Sequence, residues 1–215
     1  MWPFKKAEPK VGGFMASANL IDWWIGGFSE EERKYIILTF QPMGLGGDGK
    51  GFLVDGPSVG RHSDPSHLLY NLAGWFKKES DRIIAYKILE KAEELLSYSP
   101  NPLTNHFTYQ KKAEIYYRWR DLDDFALEKA IEACRQQISI ANEAATVFLD
   151  ESSPSGLGFL PAHHGFKQLA IILEKDGKFE EALKLCEKAK LQGWNGDWDA
   201  RLTRLRKKLA KRGQP

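Results

Sequence analysis

The sequence predicts an all-α chain: about three helical hairpins stacked side by side, preceded by a short helical amino-terminal region and closed by a capping helix. Two observations predict it. Leu69, Leu72, Ala73, Phe76, Ala85, Leu89 and Ala92 recur, at a constant shift of 97 positions, as Phe166, Leu169, Ala170, Leu173, Ala182, Cys186 and Ala189. Each set gives large apolar residues and a small one on a first helix, then a polar turn, then small and apolar positions on a second helix. Such a unit cannot bury its apolar face alone, so copies must stack. The other observation lies near the carboxy terminus, where Trp198, Leu202, Leu205 and Leu209 follow at spacings of four, three and four, the single stripe of a capping helix from about 197 to 211.

The remaining elements follow in order. Pro3, Pro9 and Gly12 punctuate residues 1–12, an arm with no helical period. A helix over Ala16–Ile25 carries Leu20, Trp23 and Trp24 on one side. Ser29, with Glu32 three residues on, makes a capping box for a helix to about Phe40. Tyr35–Phe40 also suits a strand, but the acidic first turn Glu30–Glu32 favours helix. Glycines and prolines interrupt Gln41–Ser63, where Phe52, Leu53 and Val54 could form one short strand.

The first hairpin starts at Asp64 or Ser66, Ser80 caps its second helix, and Pro100 with Pro102 ends it. Ile115, Tyr116, Trp119 and Phe125 supply the first helix and turn of a middle copy, whose Ala130 and Cys134 align after an insertion of about two residues. Without Gly or Pro, Asp123–Asp150 reads as one continuous helix that extends past the array as a seat for the amino-terminal helices. Ser152–Gly158 is a connector, Pro161 suits the first turn of the next helix, and Gly193 stops the one after it. Two regions result: residues 1–63 and the repeat region 64–215.

Ser66–Leu95 and His163–Gln192 resemble the tetratricopeptide repeat. In the second stretch Phe166, Leu169, Ala170, Gly177, Phe179, Ala182 and Ala189 supply its pattern of bulky, small, turn-glycine and aromatic positions, with Cys186 where a larger residue is usual. In the first, Ser80 and Arg82 replace the turn glycine and the aromatic, and neither copy ends in the family's closing proline. The resemblance implies a right-handed superhelical array whose first helices line a concave groove. It places His67, Tyr70, Lys77 and Lys78 of the first copy in that groove, with Tyr117 and Arg120 of the middle copy and His164, Lys167 and Lys175 of the third. Such a basic, aromatic strip suits a non-catalytic protein–protein interaction scaffold that binds an acidic or extended segment of a partner protein.

Composition sets outer bounds. A 215-residue chain with 42% apolar residues supports a sizeable core, and a net charge of +2 gives no global attraction to nucleic acid or anionic membrane. Two cysteines at core-facing helix positions read as small buried hydrophobes in a reducing compartment. Lysines ahead of Val11–Met15 imitate a secretory signal, yet that stretch is short, contains Gly12 and Gly13, and is followed by Asp22. With no apolar run of about 18 residues for a membrane span, the expected location is the cytoplasm. Trp2 and Phe4 beside Lys5 and Lys6 are the one candidate for a peripheral anchor.

No cofactor and no metal are expected. Gly44–Gly51 fits two phosphate-binding spacings at once, but GFLVDGPSVG follows where a helix should start, and Gly51 stands where a P-loop needs a hydroxyl. His163 and His164 point about 100° apart on a helix, which discourages a shared zinc. Asp121, Asp123 and Glu132 echo a calcium loop, but Phe125 and Ala126 break it, so Asp121 or Asp123 reads as a helix cap. No nucleophile is paired with a base by a recognisable spacing. Competing readings are a nucleic-acid stripe on Arg201, Arg204, Arg206, Lys207, Lys208, Lys211 and Arg212, an enzyme whose site is assembled from distant residues, and a homodimer contact at Trp23, Trp24 and Phe28.

Overall fold

The computed structural model describes residues 11–42, 51–56, 64–98, 101–152, 154 and 156–212. The arm with Trp2, Phe4, Lys5 and Lys6, and Gly44–Lys50 of the glycine-rich loop, lie outside the described residues. The described residues are all-helical, with an isolated bridge between Ala162 and Asn195 and no β-strand. None of their helices is long and apolar enough to cross a membrane.

The helix expected over Ala16–Ile25 is instead two, α1 (Gly13–Ser17) and α2 (Ile21–Gly27). The chain breaks at Asn19, whose φ of 61° is a left-handed conformation that asparagine tolerates better than most residues. The break lets Phe14, Met15, Leu20 and Trp24 share one core. Phe52–Val54 belongs to a π-helical turn, Gly51–Asp55, and not to a strand. That turn lies against the start of α1, with the Gly12 and Gly13 amides donating to Val54 O and Gly56 O at 2.6 and 2.8 Å. A Cβ on Gly13 would sit 2.6 Å from Phe52 O, so only glycine fits there.

In α3 (Glu30–Thr39) the capping box forms as the sequence predicts, which settles helix over strand. Ser29 Oγ accepts from the Glu32 amide at 3.1 Å, and Glu32 returns a carboxylate oxygen to the Ser29 amide at 2.8 Å.

Three helix pairs follow: α4 (Pro65–Ala73) with α5 (Arg82–Glu94), α6 (Pro102–Arg118) with α7 (Ala126–Ser139), and α9 (His164–Lys175) with α10 (Phe179–Leu191). α6 packs on both helices of the first pair, α9 packs on α7, and α11 (Trp198–Arg212) covers α10. All fourteen residues of the 97-shifted repeat are buried, none more than 8% exposed, so the repeat is a repeat of core positions. Asp64 and Asn101 cap α4 and α6 by accepting the amides of Ser66 and Leu103, each followed by a proline at the first helical position. Gly177 and Gly193 take the positive φ values that end α9 and α10.

Ser80 does not cap the second helix of the first pair. Glu79–Asp81 forms a 3-10 turn, and Asp81, 3% exposed, accepts the amides of Lys77 and Lys78 at 3.1 and 3.0 Å and the Tyr35 hydroxyl of α3 at 2.8 Å. Lys87 of α5 donates to Gly27 O at 2.9 Å. The amino-terminal helices therefore rest on the first pair, with which they share a core that extends to Ala130, and not on a long middle helix. Trp24 and Phe28, two of the three residues offered above as a dimer contact, are 2% and 3% exposed within that core, and Trp23 packs edge-on against Phe28.

The helix expected over Asp123–Asp150 breaks at Ile140 into α7 and α8 (Ala141–Leu149). Ser139 Oγ donates to Gln136 O at 2.8 Å, a side-chain bond that competes with helix continuation. α8 turns back onto α6, where Phe148 packs against Phe107 and His106. Asp123 is a clamp more than a cap: its carboxylate accepts from the Tyr86 hydroxyl at 2.8 Å and pairs with Arg82 at 2.9 Å, tying the α6–α7 turn to the start of α5.

Candidate partner-binding site

The structure brings the sequence-predicted site residues of α4, α6 and α9 together in three places. At the carboxy-terminal end of α6, Tyr117, Arg120 and Lys175 meet. The Arg120 guanidinium lies 4.3 Å from the Tyr117 ring centre, and Lys175 Nζ donates to the Tyr117 hydroxyl at 3.1 Å from the next helix pair. Arg120 also reaches Asp121 at 3.0 Å. Arg120 thus lies against the ring, where its negative face attracts the guanidinium, and Lys175 sits beyond the hydroxyl end of the same side chain.

One turn or more back along α6 the surface is not purely basic. Glu114 accepts from Lys111 at 2.8 Å and Gln110 at 2.9 Å, and His164 Nδ1 lies 3.9 Å from Glu114 Oε1, the oxygen that accepts from Gln110. Burial pushes the Glu114 carboxyl up, but the hydrogen bonds from Lys111 and Gln110 and the Lys111 charge outweigh it, so its pKa is lowered overall. His164 is held below its ordinary value by burial first, opposed by Glu114. Glu114 and Lys111 are site residues that the sequence reading missed. The signal was present, because positions 107, 110, 111, 114 and 117 follow the helical period along α6.

A cavity of about 370 Å³ opens between α6 and the start of α9, lined by Gln110, His164, Lys167, Asn195 and Asp197 among others. Lys167 is exposed, and no ion pair engages it among the described residues. Asp197 is already bound by Arg201 at 2.7 Å, which with its charge holds the carboxyl below the usual range.

A smaller cavity of about 250 Å³ lies between α4, α6 and the segment after α8. Exposed His67 stacks on Tyr70 there, with ring centres 5.1 Å apart and planes within 5°. Tyr70 is 7% exposed, so it offers a ring edge more than a hydroxyl, and burial pushes that hydroxyl up to about 12. Lys77 and Lys78 lie apart from these places, in the turn after α4, where the Lys78 ammonium sits 5.9 Å from the Tyr35 ring centre.

In the interior, His106 of α6 and His163, both 1% exposed, approach each other and Trp194 with ring centres 5.0 and 5.8 Å from His106. Gln137 of α7 links them to the start of α9, its Oε1 accepting the Gly165 amide at 2.7 Å and its amide nitrogen 3.1 Å from His106 Nε2. Among the described residues no three or more His, Cys, Asp or Glu side chains are grouped to hold a metal ion. Cys134 and Cys186 are free and buried, and burial raises their thiols to about 12 and about 11.

Most of the cations on α11 are engaged by the body of the protein. Arg204 and Lys208 share Glu174, Arg206 pairs with Glu187, Arg201 with Asp197, and Arg212 donates to Gly177 O at 2.7 Å. Lys207 and Lys211 remain beside an open depression of about 650 Å³ on the outer side of α11. The helix is pinned as a cap, three carboxylates engaging four of its seven cations.

Compared with protein-family models, curated proteins and solved structures, the chain matches none of them.

Proposed function

We propose that the chain is a TPR-like helical-repeat scaffold that binds an acidic, extended segment of a partner protein along the face shared by α4, α6 and α9. The observation that carries this reading is the meeting of Tyr117, Arg120 and Lys175 from two successive helix pairs. Two cations held on one tyrosine, Arg120 against its ring and Lys175 at its hydroxyl, lie outside the core, whereas they offer a carboxylate two charged donors and a flat contact surface. The burial of every repeated position supports a stack of equivalent hairpins, and the two buried, raised thiols suit a reducing compartment such as the cytoplasm.

Arg120 and Lys175 are solvent-accessible enough that truncating them together should leave the fold intact. Exposed charge pairs contribute about 0.2–1 kcal/mol each, so the double variant Arg120→Ala, Lys175→Ala should weaken binding of a twelve-residue alternating Glu-Ser peptide about five- to tenfold in calorimetry. The wild-type affinity should fall as salt rises and that of the variant should fall less. Equal affinities for the two proteins would remove this face as the binding site.

A further inference from the structure

The cavities of about 250 and 370 Å³ both border the same stretch of α6. Phe107 lines the smaller one on the α4 side, and Gln110, one turn on, lines the larger one on the α9 side. Their chemistry differs. In the smaller cavity two of the polar side chains are engaged within the protein: Asn101 accepts the Leu103 amide at 2.9 Å, and Thr104 donates to Asp64 at 2.7 Å. What faces the opening is the stacked His67–Tyr70 pair, the crossed rings of Phe107 and Phe148 and the methyls of Leu103 and Leu157. Leu157, 47% exposed, forms a fixed lip, since its amide and that of Gly158 both donate to Phe148 O. A space of about 250 Å³ holds one side chain and is too small for a typical ligand. In the larger cavity Arg201 engages Asp197 and Glu114 holds the Gln110 amide. The groups left to bind are the Lys167 ammonium, the Asn195 side chain and the Nε2 atoms of His163 and His164, unpartnered among the described residues; of these Lys167 alone carries a full charge at neutral pH.

We infer that one extended segment fills both cavities, placing an apolar side chain between α4 and α6 and a carboxylate on Lys167 between α6 and α9. The inference rests on the function proposed above and specifies the partner. Packed helices lie about 8–10 Å apart and the two lining positions are one turn apart along α6, so the cavities are about 9–11 Å from centre to centre. An extended chain at about 3.1–3.3 Å per residue covers that in three residues, or four where it is not fully drawn out. The segment therefore carries an aromatic or branched aliphatic residue and an Asp or Glu three or four positions apart.

The test titrates 15N-labelled protein with nine-residue Gly-Ser peptides carrying one Phe and one Glu at separations of one to six. Binding should be tightest at three or four. Leu157→Asp should lose at least fivefold in affinity for these peptides and nothing for a peptide with Phe replaced by Ala. Lys167→Glu should also lose at least fivefold, and should recover when the peptide Glu is replaced by Lys. Equal affinity at every separation, or neutrality of both variants, overturns the inference. If both are neutral while Arg120→Ala, Lys175→Ala still weakens binding, the binding face stands and only the two-cavity arrangement falls; if no peptide shifts any resonance, both fall.

Discussion

Gly165→Ala should lower the stability of the protein by about 2–3 kcal/mol, a fall in melting temperature of about 5–10 °C for a chain of this size. In the first turn of α9, Gly165 is where the third helix pair crosses the second. A Cβ there would sit 2.9 Å from the Cys134 backbone carbonyl of α7 and 2.8 Å from Gln137 Oε1. A flexible side-chain end could swing away, but the carbonyl belongs to a helix whose neighbours Ala130, Ala133 and Cys134 are fully buried, so the crossing itself must open. Opening it also stretches the Gly165 N–H to Gln137 bond, which joins α7 to α9. The matching control is Gly26→Ala in α2, where an added Cβ meets nothing within 4 Å. That change should be neutral or stabilising by up to about 1 kcal/mol, because alanine loses less conformational freedom in a helix. Thermal unfolding of both variants checks the pair, and a Gly165→Ala protein as stable as the wild type would mean that α7 and α9 do not approach so closely.

That crossing also illustrates what the sequence could and could not disclose. The helix pairs were legible because burial on stacked hairpins imposes a period, and Leu69 through Ala92 and Phe166 through Ala189 carry it at every position. Caps at Ser29 and Asp64 and the turn at Gly193 were legible because they depend on a few adjacent residues. The break at Ile140 was not, since neither Gly nor Pro marks it; α8 is drawn back by Phe148 packing on α6, a tertiary effect. The same holds for the site. Tyr117, Arg120 and Lys175 were placed together by the resemblance, whereas Lys77 and Lys78 fell outside because α4 ends at Ala73, earlier than a full repeat helix would. Nothing in the spacing of His106, Gln137, His163 and Trp194 announces that stacking unites them, for their separations follow from loop lengths and not from any local period.

That buried cluster should make the protein lose stability between about pH 6.5 and pH 4. The hydrogen bonds fix the protons. Since Gln137 Oε1 accepts the Gly165 amide, the Gln137 amide group faces His106 Nε2 as a donor, which leaves the His106 proton on Nδ1. His163 Nδ1 accepts the Phe166 amide at 3.3 Å as the cap of α9, which leaves its proton on Nε2. Each imidazole can become charged only by losing its acceptor role, His106 against an N–H of Gln137 and His163 at the expense of the cap. Burial lowers His106 to about 4, with His164 adding to it, and lowers His163 to about 3, with His106 and His164 adding.

Both groups titrate near 6.5 in the unfolded chain. Above that pH neither state is charged and the folded state keeps its full stability. Below it the unfolded chain takes up protons that the folded one refuses, and stability falls until the folded-state values are reached. For His106 alone the loss is on the order of 3 kcal/mol, and the two sites, being coupled, together give less than twice that. Glu174, held at about 2 chiefly by its hydrogen bond from Arg204, contributes a separate loss that grows below about pH 5, as its unfolded form protonates. Urea midpoints measured from about pH 8 to about pH 5 therefore report chiefly on the histidines. The wild type should fall steadily below pH 6.5, and His163→Asn, which keeps a capping acceptor without a titrating ring, should fall less steeply. A wild-type midpoint that stays level from pH 7 to pH 5 would show that these imidazoles are not held neutral by the fold.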